Sequence, residues 1–225
     1  MCYSKDSSLY TSTVSLAAIV YLLASGIPHF QWLGVALFGW CAMQFSEFLL
    51  WSENPRQGCT ENNKLITATL IPIALFLQGV SAMLGAFFVY PANVLKPYAA
   101  VSVAIAAATV YMMHFYNPDK LCTVVTKEGH LNWSRKLGWS DAPPAAITFG
   151  YYYWAAVIFF PLLFLWNRSV LFLAAITLLP AVGFFYGQAT DSGASIWCYY
   201  TSWSSIIGAA GLFLKQTNIY DVMRA

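Results

Sequence analysis

Residues 40–51, WCAMQFSEFLLW, set the carboxylate of Glu47 in the middle of an apolar, helix-forming run. A charge so placed inside a bilayer costs about 2.5–3.5 kcal/mol on insertion scales, so it is expected to face protein, either protonated or paired. Trp40, Gln44, Glu47 and Trp51 are spaced by four, three and four and therefore share one helical stripe, which leaves Phe45, Leu49 and Leu50 for lipid or other helices. In such a setting a carboxylate can carry a proton, ligate a cation or pair with a bound group. Other polar side chains fall at a similar depth. Asn62, Asn63, Lys64 and Thr67 open the third apolar run, which holds Gln78 deeper along it. His114 lies near the end of the fourth, Tyr186 and Gln188 close the sixth, and the last opens with SIWCYYTSWSS (195–205). The expected lining of a ligand or ion pocket is therefore Gln44, Glu47, Trp51, Asn63, Lys64, Gln78, His114, Gln188, Trp197 and Tyr200.

Plainer roles compete with these. A buried glutamine such as Gln78 or Gln188 is more often a hydrogen-bonding post between helices, worth about 0.6 kcal/mol, and His114 is close enough to the interface to meet headgroups. The hydroxyls of the last run are more often packing residues than ligands. Glu47 is the exception, because its burial is the costliest. Several chemistries lack their residues. HExxH, paired CxxC, GxSxG and a glycine-rich phosphate loop do not occur, so no metal, cofactor or catalytic residue is assigned. Glu47 and His114 could form an acid/base pair, yet nothing marks a nucleophile beside them. A retinal-binding protein needs a lysine midway along the last run, and Lys215 stands at its end.

The elements that must hold these residues follow from composition. Of 225 residues, 59% are hydrophobic, 17% aromatic and 9% charged, against about 25% charged in soluble domains. Most of the surface is therefore expected to meet lipid, in runs near the ~20 residues that cross a bilayer. Seven spans are expected, at roughly 9–27, 30–51, 64–90, 97–116, 144–166, 169–188 and 195–214, in a single all-α polytopic domain covering 1–225. The first is read as a retained span, since no small-x-small cleavage site follows it. Pro28, Pro91, Pro118 and Pro143 punctuate the turns, while Pro72, Pro161 and Pro180 fall inside spans as kinks. Between the fourth and fifth spans, CTVVTKEGHLNW (122–133) has β-branched residues, a Lys-Glu-Gly turn and a short alternating run, the pattern of a small β-hairpin. A net charge of +2, dispersed, excludes nucleic acid as a partner. The expected partners are the lipid bilayer and a cation or small solute, with a homo-oligomer left open.

An odd number of spans puts the termini on opposite sides. Lys5, Arg56, Lys64, Lys120, Lys127, Arg135 and Lys136 fall on the N-terminal side, against Lys96, Arg168, Lys215 and Arg224 on the other. The first set occupies longer loops, so charge density does not set the orientation. Cysteines do more. Cys2, Cys59, Cys122 and Cys198 all map to the N-terminal side and Cys41 to a span, which suggests up to two disulfides in an oxidising compartment. The favoured pairing is Cys59 with Cys122, leaving Cys2 near Cys198. The sequon Asn132-Trp133-Ser134 is on the same face. An outer or lumenal N-terminus and a cytoplasmic C-terminus are expected.

MCYSKDSSL, MQFSEFLLW, NNKL, GHLNW and SIWCYYTS, in that order along nearly the whole chain, resemble a family of small multi-pass membrane proteins of unknown function from giant DNA viruses and some protists and algae. The resemblance implies a shared fold, with the family's Gln and Glu on Gln44 and Glu47, its Asn-Lys on Asn63 and Lys64, and its Trp-Cys on Trp197 and Cys198. The tyrosine-rich YYTSW run departs from it. The resemblance implies no activity. The residues themselves point first to a transporter or channel-like protein with an outward-facing pocket around Glu47. A receptor-like or structural membrane protein acting through its outer loops, in a virion or an organelle, is the alternative, and an intramembrane lipid-modifying enzyme the third.

Overall fold

The computed structural model describes residues 4–115, 121–133, 178, 182 and 193–217. The expected spans 144–166 and, apart from 178 and 182, 169–188, with Gln188, and also Cys2, lie outside these residues. Among the described residues the chain is mostly helical, with five helices and one two-stranded sheet. α1 (Lys5–Ala24) starts where the Ser4 hydroxyl accepts the Ser7 N–H at 3.2 Å, an N-cap that satisfies one orphan donor. Gly26, at φ +67°, turns the chain into α2 (Pro28–Ser52), whose first residue is a proline that gives up no helical bond there. α3 (Glu61–Ala86) is capped by Thr60, whose hydroxyl takes the Asn63 N–H at 3.0 Å.

α4 (Ala92–Phe115) begins five residues before the expected start at 97. Pro97, at that expected start, lies inside the second turn, where its missing N–H costs a single bond close to the helix end. The last described helix, α5, is Gly193–Gln216. The expected hairpin is present: β1 (Val124–Val125) pairs antiparallel with β2 (Leu131–Asn132), Val124 opposite Asn132 and Val125 opposite Leu131. Gly129, at φ +83°, closes its turn and donates its N–H to the Thr126 carbonyl at 3.0 Å, a backbone conformation that favours glycine.

α2 is the central helix and packs on α1, α3 and α5, while α4 leans on α3. Close approach comes from small residues, as in membrane bundles. A Cβ on Gly39 would sit 2.2 Å from Ser81 Oγ and 2.5 Å from the Leu77 carbonyl, and one on Gly85 would meet Trp32 at 2.6 Å. The Trp32 indole donates to the Ala82 carbonyl at 2.6 Å, and Ser81 Oγ to the Ala36 carbonyl at 3.0 Å. Ile19, Leu22, Leu33, Leu37, Met83 and Leu212 fill the half of the bundle farther from the hairpin.

The polarity of the helices is inverted relative to a water-soluble fold. On α1 the polar Ser8, Thr11 and Ser15 face inward, while Leu9, Tyr10, Leu16 and Val20 are exposed. Phe38, Phe45, Leu65, Ile73, Val101 and Val103 are exposed on the other helices. α1, α2 and α3 are each long and apolar enough to cross a membrane.

Candidate functional site

Glu47 lies one and a half turns from the C-terminal end of α2 and has no exposed surface. The expected stripe forms: Trp40, Gln44 and Glu47 are buried together, and Trp51, half-buried, lies at its rim under the Arg56 guanidinium, 5.9 Å from its ring. Gln44 Nε2 donates to Glu47 Oε2 at 3.1 Å. In turn Gln44 Oε1 accepts the Thr11 hydroxyl of α1 at 2.9 Å. The second carboxylate oxygen, Oε1, accepts the indole N–H of Trp133 at 3.2 Å. Trp133 directly follows β2, so the hairpin reaches down between the helix ends and covers the carboxylate. Where a pocket open to the outside is expected, the described residues leave Glu47 no exposed surface. Glu47 is enclosed under the hairpin, because a two-stranded unit carrying Leu131 and Trp133 has an apolar face that must itself be buried.

A second polar cluster holds the hairpin down. The Asn63 side chain on α3 reads the backbone of Thr123 from both sides, accepting its N–H at 2.9 Å and donating to its carbonyl at 3.0 Å. Thr67 joins it, 3.1 Å from Asn63 Oδ1 and 2.8 Å from Thr123 Oγ1. The Cys59–Cys122 disulfide ties the α2–α3 loop to the strand leader one residue away, with Cα atoms 6.0 Å apart. Asn63 is thus a hairpin anchor and does not reach Glu47 in this arrangement. Thr123, His130, Leu131, Asn132 and Trp133 are all buried, so Asn132 offers no acceptor for a glycan on the folded surface. His130 is held below its ordinary pKa by burial, against an opposing pull from the Glu128 carboxylate.

The remaining expected residues disperse. Lys64 turns outward and pairs with Glu61 at 2.6 Å on the exposed face of α3, so it does not line the site. A lysine one residue after an inward Asn points about 100° away from it on a helix. Gln78 is buried in a third cluster, donating to the Trp40 carbonyl at 3.3 Å and lying 3.6 Å from Cys198 Sγ. Its Oε1 is buried with no hydrogen-bond partner. Trp197 is buried, its ring 6.3 Å from that of Trp40. Tyr200 is half-buried and stacks edge-on with Tyr199 at 5.8 Å. His114 falls in the last turn of α4, with its side chain outside the described residues. Cys198 is a thiol inside the bundle and is not half of a second bridge, because the second turn of α5 places it against Gln78.

Thr11 and Trp133 were not foreseen as site residues. Thr11 had a signal, since Ser8, Thr11 and Ser15 are spaced by three and four, a polar stripe on an otherwise apolar helix. Trp133 had only its position at the end of an apolar strand in a polar loop. The described residues contain no group of three or more His, Cys, Asp or Glu placed to hold a metal ion. The structure therefore defines a helical bundle with an apolar exterior and a capped, buried carboxylate. No family model, characterised protein or solved structure matches the chain.

Proposed function

We propose that this chain is an integral membrane protein of seven spanning helices, its N-terminus outside, that carries a proton or cation through an occluded site at Glu47. The observation that carries the reading is a fully buried carboxylate that accepts the Gln44 amide of its own helix and the Trp133 indole of the hairpin at one end of the bundle. Inverted polarity on α1 and three membrane-length apolar helices support the bilayer setting. The disulfide, at the same end as the start of α1, supports an oxidising compartment on that side. Toward the other end the described bundle is filled by Leu, Ile and Met. That seal favours a carrier, opened on each side in turn, over a standing pore. The test is proton and cation flux into liposomes, wild type against Glu47→Gln, with both folds checked. Flux abolished in the variant is expected, and absence of flux in wild type would rule the reading out.

A second reading has one observation behind it. The α2–α3 loop and the hairpin enclose an open groove of about 570 Å³ lined by Pro55, Arg56, Cys59, Val125, Lys127 and Gly129. It suits a receptor-like or structural membrane protein that engages a partner from outside. In that case substitutions in the groove matter more than Glu47→Gln.

A further inference from the structure

We infer that the groove between the α2–α3 loop and the hairpin holds the headgroup of an anionic phospholipid from the leaflet on the hairpin's side of the bilayer. The inference rests on the bilayer setting and on no role for Glu47, and it gives the groove of the second reading a definite occupant. Two basic side chains line it from separate segments, Arg56 from the loop and Lys127 from the hairpin turn. Pro55, Val124 and Val125 add apolar wall, and the lining contains no acidic residue. Both cations are exposed, and among the described residues neither stands in an ion pair. Glu128, beside Lys127 in the turn, lies outside the wall and is engaged first by its own backbone and by the Thr126 side chain. A choline ammonium would find no carboxylate in this wall, whereas a net negative headgroup meets two cations. The volume of about 570 Å³ falls within the range of about 300–1,000 Å³ that small-ligand sites occupy.

Arg56 is already oriented for the task. Its guanidinium lies over the Trp51 ring, 5.9 Å from the centroid, and stacking on a ring face leaves the N–H edge for a second partner. That edge matches two phosphate oxygens at once, and a lysine ammonium adds a point charge. The Cys59–Cys122 bridge ties the loop wall to the hairpin wall, so both cations belong to one site. Depth selects a lipid over a soluble acidic partner. α2 has 25 residues, about 37 Å at 1.5 Å per residue, against a hydrocarbon core of about 30 Å. Its C-terminal end therefore emerges among headgroups, and Arg56 follows within about one further turn. Large apolar side chains are exposed just inside this level, Phe45 two turns before the end of α2 and Leu65 one turn into α3. Hydrocarbon thus ends, and phosphates begin, close to the groove.

Native mass spectrometry of the full chain in detergent, titrated with phosphatidylglycerol or phosphatidylcholine of the same acyl chains, tests this. Wild type is expected to bind phosphatidylglycerol about tenfold more tightly, as basic groups at an anionic lipid surface do. Arg56→Gln/Lys127→Gln should bring the two affinities together with melting unchanged. Lys64→Gln, at an exposed lysine of the same end outside the groove, should keep the preference, and Cys122→Ser should weaken it by releasing one wall. Equal affinities in wild type, a preference untouched in the double variant, or the same loss in Lys64→Gln would each overturn the inference. Displacement of phosphatidylglycerol by equimolar inorganic phosphate or by an acidic peptide would also overturn it, and would make the groove a site for a soluble anion or a protein segment. Flotation with liposomes checks the bilayer setting separately. A protein that floats without the preference loses the headgroup site alone, and one that does not float loses both.

Discussion

At the scale of single residues, the energetics of the site turn on unequal costs. A hydrogen bond contributes about 0.5–1.5 kcal/mol net, but a buried acceptor stripped of its donor costs about 1–3 kcal/mol. Trp133→Phe keeps the ring's volume roughly and removes the N–H that reaches Glu47 Oε1. It is expected to destabilise the protein by about 1–3 kcal/mol, read as thermal unfolding in detergent. In Trp133→Phe/Glu47→Gln the loss should be smaller than the sum of the two single losses, since they share a partner. Lys64→Ala is the contrasting case. Its pair with Glu61 is exposed, surface pairs contribute about 0–1 kcal/mol, and no measurable change in melting is expected.

At the scale of elements, the hairpin behaves as a separate part fastened at three points: Trp133 on Glu47, Thr123 on Asn63, and the Cys59–Cys122 bridge. Cys122→Ser removes the covalent one. Amide exchange in 121–133 should accelerate about tenfold or more, equal to 1.4 kcal/mol of local opening, while exchange in the middle of α2 stays unchanged. Equal acceleration in both would mean that the hairpin does not open on its own. The hairpin should also respond to acid. His130 has its folded-state pKa below the ordinary 6.5 because it is buried. The unfolded or opened state therefore binds more protons in the interval just below that value, and stability is lost as pH falls through it. The protection of the hairpin amides, taken relative to their intrinsic exchange rates, should fall as pH drops below about 6.5, and His130→Asn should flatten that dependence.

At the scale of the whole molecule, the inverted polarity of α1 makes a prediction that a water-soluble bundle would not share. Leu16 is 52% exposed, so Leu16→Arg would be harmless in water. In a bilayer an arginine near the centre of a helix costs about 2.5–3.5 kcal/mol. The variant is expected to lower the inserted fraction of the first span in a microsomal insertion assay, whereas Ser12→Arg, at a half-buried position nearer the helix start, should be tolerated better. Equal insertion of both would count against the bilayer setting.

Composition, hydrophobic run length and residue chemistry determined a good deal by themselves. Apolar runs near the length of a bilayer foretold α1, α2 and α3 to within a few residues, because in lipid the backbone must satisfy itself and long helices are the available way to do it. The Lys-Glu-Gly turn between β-branched residues foretold the hairpin through its need for glycine at positive φ. The four-three-four spacing foretold that Trp40, Gln44 and Glu47 would share a buried face, and cysteine placement foretold the Cys59–Cys122 pair. What only the tertiary structure decided is which polar groups meet. Asn63 and Lys64 are neighbours in sequence, yet one clamps the hairpin and the other lies in the open, because helical rotation separates them. Trp133 is 86 positions from Glu47, and no local pattern links an indole to a distant carboxylate. Their meeting requires the hairpin's apolar face to be buried, and the carboxylate beneath that face accepts the indole N–H.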